Sequence, residues 1–212
     1  MSTLKHLGFW STVLVVGALA GPLFNTNQAT QASLRSEKRA AEDALGSERA
    51  GRIVRRAEAV HAVIFQQSGA QGAVDRVVSG SQARPSEIGV HEASGVVSAT
   101  LSSFWNGLSA SMRRMAWRVA LVLDWSWLVV PFLMLAVIDG LCARSKKLAE
   151  GGHQTTGAFA LGWHSVIGLC ALPLLYVIGP LYLSPLFMPV WALVVWFPLG
   201  IAMTNTQPIF VR

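Results

Sequence analysis

The sequence predicts an all-α membrane protein: four transmembrane helices, with a mostly helical periplasmic segment between the first and the second. Three observations predict it. From Trp117 to Phe210 the only acids and bases are Arg118, Asp124, Asp139, the cluster Arg144-Ser-Lys-Lys-Leu-Ala-Glu150, His153 and His164. Residues 35–92 are by contrast rich in charge, and their apolar residues recur at helical spacing. A separate apolar run stands at residues 7–24. Only 13% of the 212 residues are charged, against about 25% in soluble domains. The chain therefore divides into an N-terminal transmembrane anchor (1–25), a helical periplasmic segment (26–112) and a three-helix transmembrane bundle (113–212) with a cytoplasmic loop at 143–156.

The first run, LGFWSTVLVVGALAGPLF, has two readings. Lys5, His6 and the Ala18-Leu-Ala20 triplet resemble a cleavable signal peptide. Extended to Phe24, the run is also just long enough to span the bilayer, and an uncleaved anchor is the preferred reading. Gly17 and Gly21 would let another helix approach it closely.

In 26–68, Leu34, Ala41, Leu45, Ile53, Ala57, Val60 and Ile64 form a narrow, alanine-rich stripe. Charges such as Glu37, Lys38, Glu42, Arg49, Arg52, Arg55 and Arg56 fill the other positions. This is an amphipathic helix. Its stripe, through Leu34, Leu45, Ile53, Val60 and Ile64, is a candidate protein contact, and packing on residues 70–100 is the alternative. Residues 79–85 read as loop with Arg84-Pro85 as a breaker, and Ile88–Trp105 as a further amphipathic helix reaching the membrane surface.

The second span lies within Trp117–Cys142, the third at about Phe159–Ile178 and the fourth at about Pro185–Met203. Pro173, Pro185, Pro189 and Pro198 fall in or at the edges of these spans. Each internal proline frees a backbone carbonyl that needs a neighbour in lipid, so these helices should pack on one another. Arg144, Lys146 and Lys147 make 143–156 the most basic short loop, hence cytoplasmic. Both termini are then cytoplasmic and 26–110 lies across the membrane. Arg113, Arg114 and Arg118 run against that orientation, although long translocated segments obey the charge rule weakly.

Few groups offer chemistry. Asp124 and Asp139 lie on one span, about 60° apart around a helix and about 22 Å apart along it, so they cannot act as a pair. An ionisable residue in a span usually faces protein or water. Asp139 and His164 fall near the inner membrane face and are expected to form an interhelical contact. Cys142 and Cys170 show neither CxxC nor Cys/His spacing, so no disulfide, metal or cofactor is expected. There is no HExxH, GxSxG or Walker loop, and no enzyme is expected. The net charge of +6 gathers beside the spans, as flanking charge does, and sequence-specific nucleic-acid binding is not expected.

The C-terminal half resembles the integrating-conjugative-element membrane proteins, a family encoded near the coupling ATPase of conjugative type IV secretion systems. The resemblance rests on Pro131-Phe-Leu-Met-Leu-Ala-Val-Ile-Asp139-Gly140 followed by Arg144, on Trp163-His164-Ser165, and on the last span ending Asn205-Thr-Gln-Pro-Ile-Phe210. It covers about residues 110–210; the N-terminal part is similar only in layout. It implies a bacterial inner-membrane protein of a conjugation apparatus and supplies no reaction. The expected role is accessory or assembly work through contacts with other membrane proteins of the machine, with the coupling ATPase as a candidate partner, the bilayer as surroundings and a homo-oligomer as an option. A transporter or channel subunit using the buried aspartates and an entry-exclusion protein are the alternatives.

Overall fold

A computed structural model describes residues 27–63, 91–179 and 182–206, together with the single positions 12, 16 and 72; for 91–102 it describes the backbone alone. The first apolar run, its glycine pair, the loop around Pro85 and the stripe residue Ile64 fall outside the described residues. Among those described there are five α-helices and no strands. They are α1 (Asn27–Leu45), α2 (Ser47–His61), α3 (His91–Ala149), α4 (Thr156–Ile178) and α5 (Phe187–Thr204). Three stretches are long and apolar enough to cross a membrane: Ser103–Ala149 within α3, α4 and α5.

The periodic segment is two helices. Gly46 separates them with φ +82°, a conformation that only glycine adopts cheaply. Glu48 then occupies the first turn of α2 and His61 the last, each complementing the helix dipole. The expected helix over 88–105 and the second span are one helix of 59 residues, α3. Crossing the apolar core takes about 20 residues, so most of α3 has another task.

The described residues form two compact units. Those up to Leu121 join Val177–Ser184 in the first; Val122–Tyr176 and the residues from Pro185 on form the second. The core of the first unit is the stripe itself. Leu34 and Ala41 of α1, Ile53 and Ala57 of α2, and Trp117, Ala120 and Leu121 of α3 make one buried cluster, with Leu45 packed against it.

The second unit is held differently. A Cβ on Gly140 of α3 would come within 2.6 Å of Met203 Cβ and 3.1 Å of Gly200 O, both on α5. A Cβ on Gly162 of α4 would meet Pro198 O at 2.8 Å and Ala202 N at 2.9 Å. Glycine is therefore what lets α3 and α4 approach α5. Two of the prolines find neighbours as lipid requires. Pro173 leaves Leu169 O without its helical donor, and the Trp191 indole N–H donates to that carbonyl at 2.8 Å. Pro189 likewise leaves Pro185 O, and the Trp125 indole N–H donates to it at 3.0 Å. Ring contacts complete the packing, with Phe132 and Trp196 at 4.6 Å and Tyr176 stacked on Phe187 at 4.7 Å.

Candidate functional site

In the first unit an ion pair ties α1 to α3. Arg118 is wholly buried and Glu37 is 1% exposed. Arg118 Nε donates to Glu37 Oε2 at 3.2 Å and Nη2 to Oε1 at 2.5 Å, a two-pronged contact. Arg118 Nη1 donates to Gly179 O at 2.6 Å, so the same guanidinium also holds the turn after α4. Arg114 is buried too, one helical turn before Arg118. Of the three arginines that ran against the expected orientation, only Arg113 is exposed, and the charge of Arg118 is matched inside the fold.

Sequence reasoning missed this contact. It placed Glu37 among the solvent-facing charges. The signal was there in the spacing: Thr30, Leu34, Glu37 and Ala41 follow three- and four-residue steps, and all are buried. Beside the pair, Lys38 Nζ stands 5.8 Å from the centre of the Trp117 ring. A mostly apolar cavity of about 180 Å³ is lined by Val60, His61, Met112, Met115, Ala116, Val119 and Val177. Burial, and then the nearby Arg113, hold the His61 pKa below its ordinary value.

The second unit has a polar knot that the sequence also hid. Buried Asn205 Oδ1 accepts from Lys147 Nζ at 3.0 Å and from Thr155 Oγ1 at 3.2 Å. Its Nδ2 donates to Ile201 O at 2.9 Å. One side chain thus joins the end of α3, the start of α4 and the end of α5. Thr204 Oγ1 adds a bond to Gly140 O at 3.3 Å. The Asp-Gly and Asn-Thr pairs that carry the resemblance are where these helices are fastened.

The remaining predicted residues are placed as follows. Leu34 and Ile53 are buried in the chain's own core, Leu45 packs on it and Val60 lines the cavity. The helix-pair surface left for a partner is its polar face, with Arg35, Arg39, Arg52, Arg55 and Arg56 exposed. Arg144, Lys146 and Lys147 stand on the last two turns of α3; Lys146 is exposed, Arg144 and Lys147 half-buried. Asp124 is half-buried. Asp139 and His164 are both exposed, and no hydrogen bond or ion pair joins them. Among the described residues no group of three or more His, Cys, Asp or Glu is placed to hold a metal ion.

Comparison with known proteins adds one finding. No curated protein and no solved structure matches. A family model does, over residues 22–211, and its description is IncC plasmid conjugative DNA transfer protein DtrJ-like. The match takes in α1 and α2 as well as the apolar helices, well beyond the half that carried the resemblance. The chain belongs to the DtrJ-like family of conjugative DNA transfer proteins.

Proposed function

We propose that the chain is an accessory inner-membrane component of a conjugative type IV secretion apparatus, and that it works by holding other membrane proteins of that machine rather than by catalysing a reaction. The observation that carries this reading is the clamp. Glu37 and Arg118 fasten a charged helix pair to the membrane-crossing α3, so its polar face is presented at a fixed place. Family membership supplies the setting, conjugative DNA transfer.

In this reading the run at 7–24 is a fourth span, both termini are cytoplasmic, and α1–α2 lie in the periplasm. Two contacts, one inside each unit, support parts of it. In the first unit Arg118 joins α1 to the turn after α4, in keeping with both lying on one side of the membrane. In the second, Lys147, Thr155 and Asn205 join the 143–156 loop to the end of α5, in keeping with the loop and the C-terminus sharing a side.

A donor strain lacking the chain tests the role. Transfer of DNA should fall, and return with the wild-type chain supplied in trans but not with a Glu37→Ala variant that frees the helix pair. Undiminished transfer without the chain would contradict the proposal.

A further inference from the structure

We infer that copies of this chain associate side by side in the membrane, with Asp139 of one copy against His164 of the next. Both residues lie in apolar helices, both are exposed, and neither makes a hydrogen bond or ion pair among the described residues. Ionisable groups in a span ordinarily face protein or water, because lipid offers them no partner. Two such groups left facing outward call for a neighbour.

Their depths match. Asp139 stands about 15 Å before the end of α3 and His164 about 12 Å after the start of α4. Only residues 150–155 separate those two helix ends. Acid and base therefore sit at nearly one level, measured from the same membrane face. Their chemistry is complementary: an imidazole N–H donates to a carboxylate.

They also lie on different sides of the bundle. Gly162 is pressed against α5, and His164, two residues on, points about 200° away from it around α4. Asp139 rims the groove between α3 and α5, lined by Trp196, Phe197, Gly200 and Ile201. One chain cannot close that pair, but a neighbour in the same orientation can. The contact is head-to-tail, so each copy offers one group to the neighbour on either side. Gly157 and Gly168 share the His164 face of α4 with nothing within 4 Å of either, which leaves room for an incoming helix. A second copy is the occupant because one repeated contact satisfies both groups; a foreign helix would satisfy only one.

The test uses full-length chain in membranes, with Cys142→Ala and Cys170→Ala throughout. One tagged copy carries Asp139→Cys and a differently tagged copy carries His164→Cys. Mild oxidation should give a disulfide-linked species bearing both tags, and much less when both copies carry the same substitution. Absence of the two-tag species, or equal yields from same-site pairs, would overturn the inference. An exchange variant guards against misfolding. Asp139→Ala should weaken the oligomer, whereas Asp139→His combined with His164→Asp should restore it; an exchange variant that folds but stays monomeric would also overturn it. No other transfer component is needed, so failure here leaves the proposed function standing.

Discussion

In the helix pair α1–α2, Arg35, Arg39, Arg52, Arg55 and Arg56 face out and Ala41, Ala50 and Ala57 face in; in the α3–α5 bundle Phe197, Leu161 and Trp127 face out and Gly140 and Gly162 face in. The first arrangement suits water. Burying Leu34, Ile53 and Trp117 removes apolar surface from solvent, and that drive tolerates one costly buried ion pair. The second suits lipid, where apolar side chains gain nothing by meeting each other and helices associate through close backbone approach and hydrogen bonds. The two indole–carbonyl bonds opposite prolines belong to that second logic. One sequence thus carries two rules for what counts as inside.

The comparison can be broken at its most loaded point first. Arg118→Ala strands Glu37 in a buried site and should cost about 3–5 kcal/mol. Replacing both partners by apolar residues should cost much less. Hydrogen exchange of α1 and α2 in detergent reads the difference, and a single variant as stable as the double would refute the clamp. Next comes one substitution of opposite sign in the two units. Gly162→Ala drives a Cβ into α5 backbone and should cost about 1–3 kcal/mol. Gly51→Ala in α2, whose nearest neighbour would be Arg55 Nη1 at 3.8 Å, should stabilise by up to about 1 kcal/mol. Thermal unfolding of the two variants checks the sign directly. Asn205→Ala removes the acceptor shared by Lys147 and Thr155 and should cost about 1 kcal/mol. Protease accessibility of residues 150–155 should rise with it.

The smallest expected effect is a pH slope confined to the first unit. Burial and Arg113 lower the His61 pKa from its ordinary 6.5. Between 6.5 and the lowered folded value the unfolded chain binds the extra proton, so stability rises with pH there. It is complete at neutral pH and declines as pH falls below 6.5 through the folded value. His61→Gln should flatten the slope; an unchanged slope would assign it to another group.

The sequence carried much of this architecture. The stripe became the core, the third and fourth spans fell within a few residues of their expected places, the second lay inside a much longer helix, and the carbonyls freed by Pro173 and Pro189 did acquire neighbours. What escaped was decided by context. Glu37 was assigned by residue type although its spacing put it in the stripe. Gly46 did not announce a break, because a single glycine is tolerated inside a helix. The continuity of α3 was hidden by a change of composition, from polar to apolar, that a helix ignores. Asn205 gained its role only when three segments met around it. Asp139 and His164 were expected to meet within one chain from their depth alone, but depth does not say which side of a bundle a residue faces.

The most direct test of the account is cross-linking through α1–α2 and the 144–147 cluster in donor membranes, gentle extraction, and identification of what is bound. The account predicts other proteins of the conjugation machine attached to the full-length chain, and their loss when Glu37→Ala frees the helix pair. Recovery of copies of this chain alone would contradict it.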